Sequence, residues 1–177
     1  CWCIQNDIYE PLPKKAASAA HLPVSPAAVS EDGNARHGDG KAGDVVIVTD
    51  CTEDDRQLSD MISRFSAVLR HKSRVVNISE YPFSGGCLDC FNCAATGKCV
   101  YRDGFDDFLR NEIQAADAIV YAFSISDHSM GPVFKTYNDR QFCNGHRTVT
   151  MGKPVGYLVS GNYPAETNLQ MIIEARS

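Results

Sequence analysis

The chain has 177 residues, 44% of them hydrophobic, with a formal net charge of -5 and a pI of about 5.5. That length suits one domain plus an appendage, and the acidic balance argues against nucleic acid, whose phosphates require a basic footprint. No apolar run approaches the ~18 residues that span a bilayer and no leader is recognisable, so neither membrane nor nucleic acid is an expected partner, and the expected compartment is the cytoplasm.

Residues 1–9 begin with Cys1 rather than Met, and "CWCIQND" reads as the tail of a possible upstream module. Cys1 and Cys3 form a lone C-x-C there, either ordinary residues or part of an upstream metal site. Residues 10–43 read as an extended or disordered linker. Ala, Pro, Gly and Ser fill 19 of these 34 positions and no aromatic occurs, so the segment cannot bury enough apolar surface to offset its ordering entropy.

The texture changes at residue 44. "DVVIVTD" is the short β-branched run expected of a strand buried on both faces. In "EDDRQLSDMISRFSAVLRH", Leu58, Met61, Ile62, Phe65, Val68 and Leu69 recur at helical spacing. Acids lead that segment and Arg70 and His71 close it, as the helix dipole favours. "SRVVNIS" predicts a second strand and residues 85–101 a cysteine-bearing loop. "GFDDFLRNEIQAAD" predicts an amphipathic helix through Phe105, Phe108, Leu109 and Ile113. "AIVYAFSIS" and "KPVGYLVSG" predict two more strands, and "AETNLQMIIEA" begins another helix, inside which the chain stops, so a longer polypeptide is expected. Strands alternating with helices predict an α/β, doubly wound parallel sheet with right-handed crossovers. Ligands of such sheets sit at the carboxyl ends of the strands, here loops 49–57, 123–134 and 160–168.

Residues 85–101, "GGCLDCFNCAATGKCVY", carry Cys87, Cys90, Cys93 and Cys99 in the spacing C-x2-C-x2-C-x5-C. Disulfides are disfavoured, because this is no small secreted scaffold. Zinc usually takes two separated C-x2-C-like pairs, whereas three cysteines at successive x2 spacing wrap one compact object, as around a cubane iron–sulfur cluster. Cluster, zinc and unmetallated thiols all stay open on spacing alone. Ala94, Ala95 and Gly97 on one side, and Gly85 and Gly86 on the other, leave room for a tight backbone. Cys51 and Cys143 stand singly and are read as packed or exposed residues.

From residue 44 to its end, about three-quarters of its length, the chain resembles the NADPH-dependent FMN reductase-like branch of the flavodoxin-like fold, and within it the iron–sulfur flavoproteins. The resemblance rests on the compact cysteine motif at 87–99, on "CVYRDGFDDFLRNEIQAADAIVYA", on "KTYNDR" from Lys135 to Arg140, and on "GKPVGYLVSGN". It implies a five-stranded sheet in order 2-1-3-4-5, the fifth strand lying beyond this chain. It also implies FMN at the strand tips and a [4Fe-4S] cluster on Cys87, Cys90, Cys93 and Cys99 near the flavin. Thr49, Thr52 and the amides of the following helix would take the FMN phosphate, with Arg56 offsetting nearby acids. Phe123, Ser124, Ile125, Ser126, His128 and Ser129, with Gly161, Asn162 and Tyr163, would edge the isoalloxazine, and His128 or Tyr163 would stack on it. Two departures stand out. The first loop reads "TDCTEDDRQLS" where the family has Gly-Ser-x-Arg, so Asp50, Glu53, Asp54 and Asp55 bring like charge towards a dianion. At 123–126 "FSIS" replaces Ser-Pro-x-Tyr.

The resemblance therefore implies an FMN-dependent electron-transfer oxidoreductase, a homodimer or homotetramer, exchanging electrons with ferredoxin or NAD(P)H. No catalytic acid/base residue is nominated. The alternatives are a flavin-free scaffold or interaction module, favoured by the acidic first loop, and a cluster-free NAD(P)H-dependent FMN or quinone reductase.

Overall fold

The computed structural model describes residues 43–145 and 149–175. The expectations for the upstream tail and for the linker as far as residue 42 lie outside the described residues.

Four parallel strands, β1 (Asp44–Thr49), β2 (Lys72–Asn77), β3 (Ala118–Ser124) and β4 (Val155–Ser160), lie in the order β2-β1-β3-β4. The expected fifth strand is not among the described residues. In the central strand β1, Val46 and Val48 point into one core and Val45 and Ile47 into another. A strand covered on both faces has no use for alternating polarity, which is why the run is wholly apolar.

Helix α1 (Arg56–Val68) covers one face, with Leu58 and Ile62 buried against Val45 and Ile47. Its apolar stripe fades at the end: Val68, placed on that face by periodicity, is 78% exposed, because the helix ends at this residue. The opposite face carries the larger core, built around Phe105, Leu109, Ile113, Phe123, Phe134 and Tyr137. The predicted helix at 104–117 is shorter and irregular. Residues Phe105–Phe108 (α3) are α-helical and Leu109–Ile113 continue as a π segment, where the Gln114 amide donates to the Leu109 carbonyl at 2.8 Å.

Two helices were not legible in the periodicity. Helix α2 (Asn92–Thr96) lies within the cysteine loop, and α4 (Pro132–Arg140) follows the β3 loop. Helix α4 starts where local chemistry favours a start, with Gly131 at φ +76° as N-cap and Pro132 in the first turn. A short turn, α5 (Phe142–Gly145), and a last helix, α6 (Thr167–Glu174), complete the described α-helices.

Candidate functional site

The loop after β2 turns sharply at residues that rarely do so. Asp89 (φ +51°) stands between Cys87 and Cys90, and Phe91 (φ +56°) between Cys90 and Cys93. Each left-handed residue bends the chain back, and α2 then carries Cys93 before Gly97 (φ +75°) returns the chain to Cys99. All four cysteines line one cavity of about 160 Å³, together with Cys143. The Cys93 thiol also reaches the Phe142 carbonyl at 3.7 Å. Leu88, Phe91, Val100 and Phe142 stand at the cavity wall and are each about half exposed or more. Burial raises the Cys93 thiol above its ordinary range and pushes Cys143 up to about 12. Cys143, read from sequence as a single packed residue, is therefore a fifth thiol of this cavity.

The donor set of the cavity suits an inorganic cluster in its chemistry. A cubane takes one thiolate at each iron corner, so its ligands surround a volume. Among the described residues no group of three or more Cys, His, Asp or Glu is placed to hold a metal ion.

The inner wall is a buried arginine. Arg140, the last residue of α4, is 1% exposed and pairs bidentately with Asp103, 4% exposed, through two bonds of 2.8 Å. It also donates to the Gly85 carbonyl at 3.0 Å, and its guanidinium lies 4.5 Å from the Tyr101 ring and 5.0 Å from the Phe105 ring. The guanidinium holds the Asp103 carboxyl well below the usual carboxylate range. Gly85 is required here: a Cβ at its φ of +151° would come within 2.7 Å of the Tyr101 hydroxyl. Arg140 entered the sequence reading only as the end of "KTYNDR". No local pattern marks its partnership with a loop 37 residues earlier.

The expected phosphate ligands lie at the end of β1, in the loop after it and at the start of α1. Thr49 is buried and its hydroxyl accepts from the Cys51 amide at 3.1 Å, while Thr52 and Arg56 are exposed. The helix N-termini that would receive an anion already hold carboxylates. Asp55 caps α1, accepting from the Leu58 amide at 3.1 Å, and takes the Ser124 hydroxyl on its other oxygen. Asp50 accepts from the Phe134 amide in the first turn of α4, and burial raises its pKa to about 6. A phosphate dianion at this loop would meet these two carboxylates and the neighbouring Glu53 and Asp54, which bring like charge towards it.

The remaining tip residues form tight local structure. Phe123 is wholly buried against Phe134, ring centroids 4.8 Å apart. Ser126 and Ser129 exchange backbone bonds of 2.9 and 3.0 Å around Asp127 and His128, both left-handed, as in a type I′ turn. The His128 ring lies 3.2 Å from Glu166 and is largely exposed. Ile125 packs on Gly161, where a Cβ would sit 3.1 Å from that of Ile125. Asn162 is exposed at the entry to a 3₁₀ turn, Tyr163–Ala165, and Tyr163 packs partly buried against the larger core. None of the tip residues expected at the flavin lines the cysteine cavity.

Fold and site together define a parallel α/β domain with a thiol-lined cavity in the crossover that follows β2. Over 73 residues the chain is 34% identical to an iron–sulfur flavoprotein of Archaeoglobus fulgidus, a match covering 41% of this chain and 33% of that protein. The chain thus spans about a third of the length of the curated relative it matches. No family profile matches the chain, and no solved structure does. No helix among the described residues is long and apolar enough to cross a membrane.

Proposed function

We propose that residues 44–177 form an electron-transfer domain of an oxidoreductase, in which Cys87, Cys90, Cys93 and Cys99 hold a [4Fe-4S] cluster. The observation that carries the reading is that all four thiols wall one cavity. When bound, the cluster supplies one-electron chemistry and a flavin joins it to two-electron donors. The chain's own residues hold the thiolates in place through the left-handed turns at Asp89 and Phe91. Leu88, Phe91, Val100 and Phe142 offer an apolar rim to a partner surface. Ferredoxin or NAD(P)H is the proposed electron partner, in a cytoplasmic homodimer or homotetramer. A fifth strand completes the order 2-1-3-4-5, and residues 10–43 tether the domain to an upstream module.

FMN at the strand tips is proposed from the resemblance and from the printed name of the relative. A second reading, a cluster-bearing domain without flavin, is favoured by the carboxylates of Asp50 and Asp55 on the helix N-termini. Anaerobic purification of the full chain, with its visible spectrum and assays of iron, acid-labile sulfide and released FMN, decides between them. Broad brown absorbance with flavin bands supports the first reading and brown absorbance alone the second. Flavin bands alone would point to a cluster-free reductase, and a colourless protein would sink every redox reading. Ser at Cys87, Cys90, Cys93 or Cys99 is expected to abolish or sharply reduce iron and sulfide content, whereas Ser at Cys51 leaves both unchanged.

A further inference from the structure

Arg140 is an unusual wall for a thiol cavity. It is buried to 1% exposure, and two of its nitrogens are committed to Asp103 and to the Gly85 carbonyl. Its third nitrogen, Nε, has no hydrogen-bond partner. A buried donor left unmade is costly, so an acceptor in the cavity would recover that cost. Asp103 binds the far side of the guanidinium and does not line the cavity. The positively charged member of the pair is therefore the one that lines the cavity with the thiols. The other charged side chain at the cavity wall, Asp89, is exposed to solvent, where its field is screened.

We propose that Arg140 is a positioning residue for the cluster, donating its Nε–H to a cluster or cysteinyl sulfur and holding the reduced state more firmly than the oxidised one. This rests on the cluster reading above. Reduction adds an electron to the group that receives the N–H, so the bond strengthens on reduction and the reduction potential rises. Tyr101 and Phe105 against the guanidinium, and Asp103 behind it, fix its direction. Lysine, a point charge without the planar fork, replaces this only in part.

The test uses the full chain, reconstituted anaerobically with ferrous iron and sulfide. Arg140→Gln alone would strand the Asp103 carboxylate in the interior. The variants are therefore Arg140→Lys and the charge-free pair Arg140→Gln with Asp103→Asn. Iron and sulfide content, Tm and the midpoint potential of the iron–sulfur absorbance are measured for each. The expected result is wild-type loading in both. The preference for the reduced state should fall about tenfold in the pair, about 59 mV for a one-electron couple, and less in Arg140→Lys. Full loading with an unchanged potential would overturn the role of Arg140 and leave the cluster standing. Loss of loading in both variants would overturn it too, since the arginine would then be a builder of the cavity. A wild-type chain that takes up no iron or sulfide sinks the cluster reading and this inference together.

Discussion

Asp50 shows what a single residue settles here. From the sequence it was one of four acids in a loop expected to meet a phosphate. In the fold it serves the first turn of α4, and burial lifts its pKa from 3.8 to about 6. A raised acid binds its proton more tightly in the folded than in the unfolded state. Its contribution to stability is therefore fully present below pH 3.8 and is lost as pH rises through about 6. Asp50→Asn should raise Tm at pH 8 and leave it nearly unchanged at pH 4, measured by thermal unfolding at both values. Asp103 has the opposite sign. Its carboxyl is held low by Arg140, so its stabilisation is present above the ordinary carboxylate range and fades in acid. Asp103→Ala leaves a buried guanidinium unpaired and should cost ~3–5 kcal/mol in urea unfolding at pH 7. That loss should shrink as the pH of the titration is lowered.

The cysteine loop and α4 work as a pair at the level of elements. The loop offers thiols, and α4 ends at Arg140, whose guanidinium holds the Gly85 carbonyl at one end of that loop and Asp103 just past its other end. Gly85→Ala should displace Tyr101 from beneath the arginine, because the new Cβ would lie 2.7 Å from its hydroxyl and the backbone is left-handed there. The expected outcome is a lower Tm and weaker iron uptake, read by the same iron and sulfide assays. The cysteine spacing was plain in the sequence because Cys87, Cys90 and Cys93 lie within seven residues of one another. Helix α4 was hidden because "GPVFKTYNDR" has a polar stretch where periodicity would be sought, and its apolar residues Val133, Phe134 and Tyr137 are too few to set a phase.

For the whole molecule, the proposed tether predicts that limited proteolysis of the full chain cuts within 10–43 and leaves a resistant fragment beginning near residue 44. Resistance throughout that segment would count against the linker. The four strands in chain order, helix α1, the two-faced burial of β1 and the cysteine motif could be read from the chain alone. Each depends on residues close in sequence, where backbone periodicity and spacing carry the information. The tertiary structure alone decided that Cys143 joins the thiols, that Arg140 walls their cavity and that Asp50 and Asp55 occupy the helix ends. Those pairings join distant segments, Ser124 to Asp55 across 69 positions and Arg140 to Gly85 across 55. No local propensity encodes them; they exist only once the sheet has brought its crossovers together.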